Sequence, residues 1–285
     1  MSATLALSAA LLFGLALITT QFGLRHMEGL AGAKVSITSA AFLWWLLFPF
    51  KGFAGWHESH MQAAAIFIAA GVFFPVSVTL LAYAANRRLG PTIAGAIGST
   101  APLFAVVAAV LFLGERLALT QIAAIIAIVG GSIVLSARNA PGEIRLSGAW
   151  ISWLAAALRA VAQVVAKAGL MLWPNPYAAI VLGYSVSTLV IWIIGCASNR
   201  AESRVYNRRG VMWFVLTGLF NSSAVLALYS ALQHGSVSVV SPIAASYPLV
   251  TLALNTLVLR EERLTLRLVA GVTMMVAGVM VLLLA

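Results

Sequence analysis

The stretch "AWISWLAAALRAVAQVVAKAGLMLW", residues 149–173, is an apolar run interrupted by Arg159, Gln163 and Lys167. A helix rises 1.5 Å per residue, so about 20 apolar residues cross a ~30 Å hydrocarbon core, and this run is long enough. Arg159 falls near its middle, where a charge costs roughly 2.5–3.5 kcal/mol on insertion scales. Gln163 and Lys167 follow at four-residue steps, each advancing about 40° around a helix. The three polar heads therefore form one slowly turning stripe, with Leu158, Val161, Val165 and Leu172 on the opposite face.

The rest of the chain has the same character. Its 285 residues are 62% hydrophobic and only 8% charged, whereas soluble domains carry about 25% charged residues. Apolar runs recur at about 3–24, 31–50, 61–85, 91–113, 117–137, 148–172, 176–196, 210–232, 237–259 and 264–284. None shows the period-two alternation of a barrel strand, so the ten spans are read as helices of an all-α membrane protein. The first run lacks a basic leader and is longer than a secretory core, so it is read as a retained helix. Cys196 is the only cysteine, which excludes an internal disulfide and argues against a cysteine-based metal site.

Net charge is +10, yet the cations are spread over the loops rather than clustered as nucleic-acid binding would require. Arg25, Arg87, Arg88, Arg138, Arg145, Arg200, Arg204, Arg208, Arg209, Arg260 and Arg263 fall in odd-numbered loops, with Lys34 and Arg267 just inside helices on that side. The other side has only Lys51 and Arg116. Basic loops resist translocation, so the odd loops are expected in the cytoplasm of a bacterial inner (plasma) membrane, with both termini outside.

The chain also repeats. Tyr83 in "LAYAA" (81–85) matches Tyr229 in "ALYSA" (227–231), and Pro102-Leu103 and Pro248-Leu249 follow at equal distances. "LGERL" (113–117) matches "REERL" (260–264), and Gly131 matches Gly278. The halves, 1–139 and 140–285, each hold five spans, and an odd number forces opposite orientations, as in secondary transporters with inverted repeats.

With these two charged boxes, "FLGERLALTQ" (112–121) after a proline-containing helix, and the five-plus-five layout, the chain resembles the drug/metabolite transporter superfamily, EamA type. That resemblance covers essentially the whole chain. It implies a ten-helix bundle with a central cavity between the halves, moving small organic solutes by alternating access. Members of that superfamily include amino-acid and metabolite exporters, phosphate-ester exchangers and flippases of lipid-linked sugars. Many of its exporters keep their termini in the cytoplasm, the reverse of what the arginines here imply. Small multidrug pumps of the superfamily use a glutamate in the first helix; this chain has "LLFGLALITTQ" (11–21) there.

Aspartate is absent and the seven glutamates lie in loops or at span ends, so no carboxylate is available in the membrane interior for proton coupling. Glu115 and Glu262, beside Arg116 and Arg263, are read first as helix caps or hinges. No nucleophile–base pair, phosphate loop or metal spacing appears, so neither an enzyme nor a cofactor is expected. The candidate solute contacts are Arg159, Gln163 and Lys167; Thr100 before Pro102; Ser246 and Tyr247 before Pro248; Asn221 in mid-span; Thr20; and the pair Tyr83 and Tyr229. Proline leaves a carbonyl one turn earlier without its donor, so these helices can kink and offer polarity to a cavity. Ala101, Ala105 and Ala109, and Ala123, Ala127 and Gly131, read as packing stripes.

The expectation is a transporter of a small anionic or zwitterionic solute, paired through carboxylate or phosphate with Arg159 and Lys167, working by facilitated diffusion or exchange. It would be a monomer or homodimer in contact with membrane lipid. The alternatives are a flippase of a lipid-linked anionic headgroup and a non-transporting membrane sensor or partner.

Overall fold

Leu- and Ala-rich apolar runs leave the backbone no water to bond in a bilayer, so each must satisfy itself as a helix. The computed structural model describes residues 1–53, 57–136, 149–197, 206–254 and 266–284. Among them the first half forms α1 (Ser2–Leu24), α2 (Gly29–Lys51), α3 (Met61–Phe73), α4 (Val76–Gly98), α5 (Ala101–Leu113) and α6 (Leu119–Ser136). The second half forms α7 (Ala149–Leu172), α8 (Pro176–Ala197), α9 (Arg208–His234), α10 (Val237–Ala244), α11 (Tyr247–Leu254) and α12 (Leu266–Leu284). A single 3-10 turn, Glu58–His60, precedes α3, and no strand occurs among the described residues.

Seven segments are long and apolar enough to cross a membrane, counting α10 and α11 together and Glu58–Ala85 as one. Three shorter apolar helices, Ala101–Leu113, Leu119–Leu135 and Leu268–Leu284, complete the set of ten. Phe42, Leu111, Phe112, Leu189 and Ile193 stand exposed on the molecule's surface. Apolar exposure on this scale fits a surface solvated by hydrocarbon.

One expected loop is absent. Residues 86–90, assigned to a loop because of Arg87 and Arg88, are helical and belong to α4. Charge alone does not end a helix, and α4 runs on through Gly90 and Pro91 as well. The chain breaks instead at Phe74-Pro75 and again at 99–100. The expected boundary between halves at 139/140 and the second charged box, with Glu262, lie outside the described residues.

The packing follows a two-fold exchange of the repeats. The first helix of each half crosses over: α1 packs on α9, and α7 packs on α3 and α4. The second helices, α2 and α8, pack on each other, as do the last, α6 and α12. The broken helices obey the same rule, α10 and α11 lying on α1 while α5 lies on α7. Neither half is a free-standing bundle, because each buries its first helix in the other.

The α6–α12 seam shows the symmetry at atomic detail. An ideal Cβ on Gly131 would lie 2.6 Å from the Gly271 carbonyl oxygen, and one on Gly278 would lie 2.6 Å from the Ala124 carbonyl oxygen. One common shift along the chain relates Ala124 and Gly131 to Gly271 and Gly278. Small residues let these two backbones touch, which is how helices associate where no hydrophobic drive exists between them.

Gly131→Val and Gly278→Val should therefore force the helices apart and destabilise the protein by about 1–3 kcal/mol. The check is the melting temperature of purified protein by heated size-exclusion chromatography. Gly98→Val is the control, since an added Cβ there meets nothing within 4 Å.

Candidate functional site

A cavity of about 210 Å³ lies where the two halves meet. The first half contributes α1, α2, α4 and α5 to its wall, and the second contributes α7 to α11. Of the residues singled out from sequence, Arg159, Gln163, Asn221, Thr20, Tyr83, Tyr229 and Tyr247 line it. Thr100, Ser246 and Lys167 do not. The physical reasons for those three differences show how the site is built.

Thr100 and Ser246 repair the two broken helices. The turn at 99–100 separates α4 from α5, and the turn at 245–246 separates α10 from α11. In the first, the Thr100 hydroxyl donates to the Ile97 carbonyl at 2.6 Å, and its own N–H donates to the same oxygen at 3.0 Å. In the second, the Ser246 hydroxyl donates to the Ile243 carbonyl at 2.7 Å and its N–H at 3.1 Å. The two turns occupy matching positions of the two repeats. Each hydroxyl is turned to its own backbone, the common fate of Ser and Thr in membrane helices, and bonds the carbonyl three residues back at the end of the helix before the break.

Lys167 is likewise committed to backbone. Its ammonium donates to the Leu232 carbonyl at 2.6 Å and to the Gly235 carbonyl at 3.0 Å, closing the C-terminal end of α9. A cation on the last carbonyls complements the negative end of the helix dipole. Two residues further on, Glu115 does the converse. Its carboxylate accepts the Val237 N–H at 2.7 Å and the Ser238 N–H at 2.9 Å, and also takes the Ser238 hydroxyl. It thus caps the first turn of α10 from the other half of the molecule. The capping role expected of Glu115 is present, but for a helix far away in sequence. Lys167 and Glu115 together pin the α9–α10 turn.

Arg159 and Gln163 are different. Among the described residues no carboxylate or hydrogen-bond partner meets the Arg159 guanidinium, although it lines the cavity from α7. Gln163 is only 8% exposed and its Oε1 has no donor. Ser241, 3% exposed on α10, also lines the wall with an unpartnered Oγ. Buried polar atoms in folded proteins are nearly always bonded; Trp44 Nε1, Ser132 Oγ and Ser152 Oγ are unpartnered away from the cavity, so Gln163 and Ser241 set this wall apart only together with the half-buried Arg159 beside them.

Elsewhere on the wall, the Asn221 amide donates to the Tyr184 hydroxyl at 3.1 Å, linking α9 to α8. Phe13 meets Tyr247 edge-on at 6.5 Å between centroids, closing part of the wall with apolar surface. The Thr217 hydroxyl lies 2.9 Å from the Thr19 hydroxyl and 3.0 Å from the Trp213 carbonyl, its one hydrogen serving either, and so ties α9 to α1. Tyr184, Ser241, Thr217 and Phe13 were not singled out from sequence. Tyr184 carried a usable signal, an aromatic hydroxyl in mid-span in "VLGYSVST" (181–188). Ser241, one polar residue before Pro242, is the position of a proline-broken helix that the notice given to Pro248 passed over. No group of His, Cys, Asp or Glu that could hold a metal occurs among the described residues.

The EamA-like transporter family model matches residues 1–137 and 146–284. A solved crystal structure of another protein, 16% identical in sequence, aligns with a TM-score of 0.83 over 99% of this chain and 96% of its own, which shows a shared fold. No curated protein matches the sequence.

The two interior cations of α7 should respond oppositely to the same substitution. Lys167→Met strands two helix-end carbonyls, and hydrogen bonds to charged groups contribute about 1.5–3 kcal/mol each, so the melting temperature should fall by several degrees. Arg159→Met removes a charge with no partner and should leave the melting temperature unchanged or raise it. Thermal unfolding of both variants in one detergent decides the assignment; equal losses would mean that Arg159 is a structural residue too.

Proposed function

Because this chain belongs to the EamA-like transporter family, and is thus a multi-pass membrane transporter of the drug/metabolite type, we propose that it moves a small organic solute bearing a carboxylate or phosphate across a bacterial inner membrane by alternating access. The observation that carries the proposal is Arg159: a permanent cation on the wall of the cavity between the halves, with no anion beside it among the described residues. Guanidinium offers a carboxylate or phosphate two parallel hydrogen bonds, and a site shielded from water strengthens that pairing. Lys167 drops out of the solute contacts, because both its bonds go to helix carbonyls.

The same charge bears on the transport mode. An empty carrier that closes over Arg159 must desolvate a bare cation, whereas a loaded carrier closes over a neutral pair. Reorientation is then faster loaded than empty, which favours exchange over net flux. Aspartate is absent, and Glu115, just after α5, is spent on capping α10. The arginine-rich odd loops, without Arg87 and Arg88, which lie within α4, face the cytoplasm in this reading, with both termini outside.

Counterflow into proteoliposomes preloaded with members of a panel of amino acids, organic acids and phosphate esters is the test. An anionic member should drive uptake of its labelled form, and Arg159→Ala should reduce that exchange at least about tenfold, the loss expected when a buried charged pair is broken. Arg159→Lys, which keeps the charge but not the fork, should fall between the two. Undiminished exchange in Arg159→Ala removes the arginine from the mechanism.

A further inference from the structure

Away from the cavity, the seam between α2 and α8 holds another cation, Lys34, that meets no counter-charge among the described residues. We propose that Lys34 and Trp192 form a site for the phosphate of an anionic phospholipid, in the leaflet on the arginine-rich side of the protein. The site stands apart from the solute cavity and does not depend on what the cavity carries.

The seam is braced by two crossed bonds. The Trp45 indole N–H donates to the Ser185 hydroxyl at 2.8 Å, and the Trp192 indole N–H donates to the Thr38 hydroxyl at 3.0 Å. One common shift along the chain relates Thr38 to Ser185 and Trp45 to Trp192, so each helix gives the other an indole and receives one. The same shift puts Val181 opposite Lys34 and Phe48 opposite Gly195. The brace is therefore symmetric, whereas the cation and the glycine occur at one end only.

Those two additions fit each other. Lys34 is only 8% exposed, and its Nζ lies 5.4 Å from the centroid of the Trp192 ring. An ideal Cβ on Gly195 would overlap Lys34 Cε and Nζ, so the side chain missing from Gly195 is the room the ammonium occupies. Among the described residues the ammonium has no hydrogen bond or ion pair, and the face of Trp192 is its electrostatic contact. A ring face holds a cation more weakly than a hydrogen-bonded anion does. The Nζ is not sealed in, but stays open to the surface beside the exposed Trp192 ring. A buried lysine stem with an open, unpaired head is a phosphate site lacking its phosphate.

Depth identifies a lipid as the source of that phosphate. Lys34 stands five positions after the start of α2, and Trp192 five positions before the end of α8. At 1.5 Å per residue both lie about 7–8 Å inside the helix ends, a level at which tryptophan marks the membrane interface. Deeper along the same seam, Phe42, Leu189 and Ile193 are exposed and apolar, and so suit an acyl chain. A phospholipid brings phosphate and chain at this spacing together, while a soluble phosphate would have to leave water to reach the ammonium. Basic pockets between helices on the positive side of a membrane protein recognise anionic headgroups in this way. With a single cation in the pocket, a lipid of net negative charge is favoured over one whose phosphate already has its own ammonium.

The test is native mass spectrometry of purified full-length protein titrated with phosphatidylglycerol or phosphatidylcholine of identical acyl chains. The first phosphatidylglycerol should bind at least about fivefold more tightly, the factor that one lysine near a membrane surface supplies. Lys34→Met removes the ammonium and Gly195→Ala displaces it; each should bring the two lipids level, while Lys34→Arg should keep the preference. Arg209→Gln deletes an exposed cation at the start of α9 on the same side and should leave the preference intact. Excess inorganic phosphate or glycerol 3-phosphate should not displace the lipid. Equal binding of the two lipids by the wild type overturns the proposal. So does a preference that survives in whichever of Lys34→Met and Gly195→Ala folds, or one that Arg209→Gln abolishes as fully, which would mean general attraction to basic loops. Displacement by either soluble phosphate would make this a soluble-anion site and overturn the lipid assignment.

Discussion

Inside a bilayer no water stands ready for an unbonded N–H or C=O, and the whole architecture answers to that requirement. Unbroken helices meet it by themselves, but a cavity with polar walls needs helices that stop partway. Here the chain stops at 99–100 and at 245–246, and between α9 and α10. Each interruption has its own repair: Thr100 and Ser246 on the carbonyls before the two breaks, Lys167 on the end of α9, Glu115 on the start of α10. Thr100 and Ser246 serve the breaks inside spans, while Lys167 and Glu115 hold the turn between two spans.

The frame is symmetric and the site is not. The helix exchange, the paired breaks and the glycine contacts of α6 and α12 all relate one half to the other. The shift that superposes Tyr83 on Tyr229 and Pro102 on Pro248 also brings Phe13 onto Arg159, Leu17 onto Gln163 and Gln21 onto Lys167. All of Phe13, Leu17, Arg159 and Gln163 line the cavity. One half thus presents an apolar and aromatic surface where the other presents a cation and an amide. Under the proposed function such a wall would take an amphipathic solute in one orientation, its charge towards α7 and its carbon body towards α1. Symmetry supplies two equivalent ways to open; the difference between α1 and α7 supplies recognition.

Helix class, repeat and family resemblance are legible in the sequence because apolar length, matched tyrosines and prolines, and the charged box are all local patterns. Part of the cavity wall is legible for a related reason: a polar residue in mid-span has few places to go, so Arg159, Gln163 and Asn221 point inward. What the sequence conceals is who the partner is. Lys167 meets carbonyls 65 and 68 positions away, and Glu115 meets N–H groups 122 and 123 positions away. No periodicity encodes such pairings. Thr100 and Ser246 lie off the cavity wall, and their hydroxyls bond carbonyls three residues back. The segment 86–90 misleads because its arginines read as a loop, while helix propagation depends on backbone geometry and not on charge.

Arg159 and Lys167 carry the same charge on the same helix two turns apart, so depth and hydropathy treat them nearly alike. Their partners do not. Lys167 gives two of its three N–H groups to fixed carbonyls at the end of α9. Arg159 has no such partner among the described residues, which leaves the folded protein carrying an unbalanced cation. Proteins tolerate strain of that kind where a ligand relieves it. Under the proposed function the missing counter-charge is part of the mechanism, because an anion that neutralises Arg159 would also lower the barrier for the cavity to close around it. Binding and movement share one interaction, and selection by the cavity acts on the step that transports as well as on the step that binds.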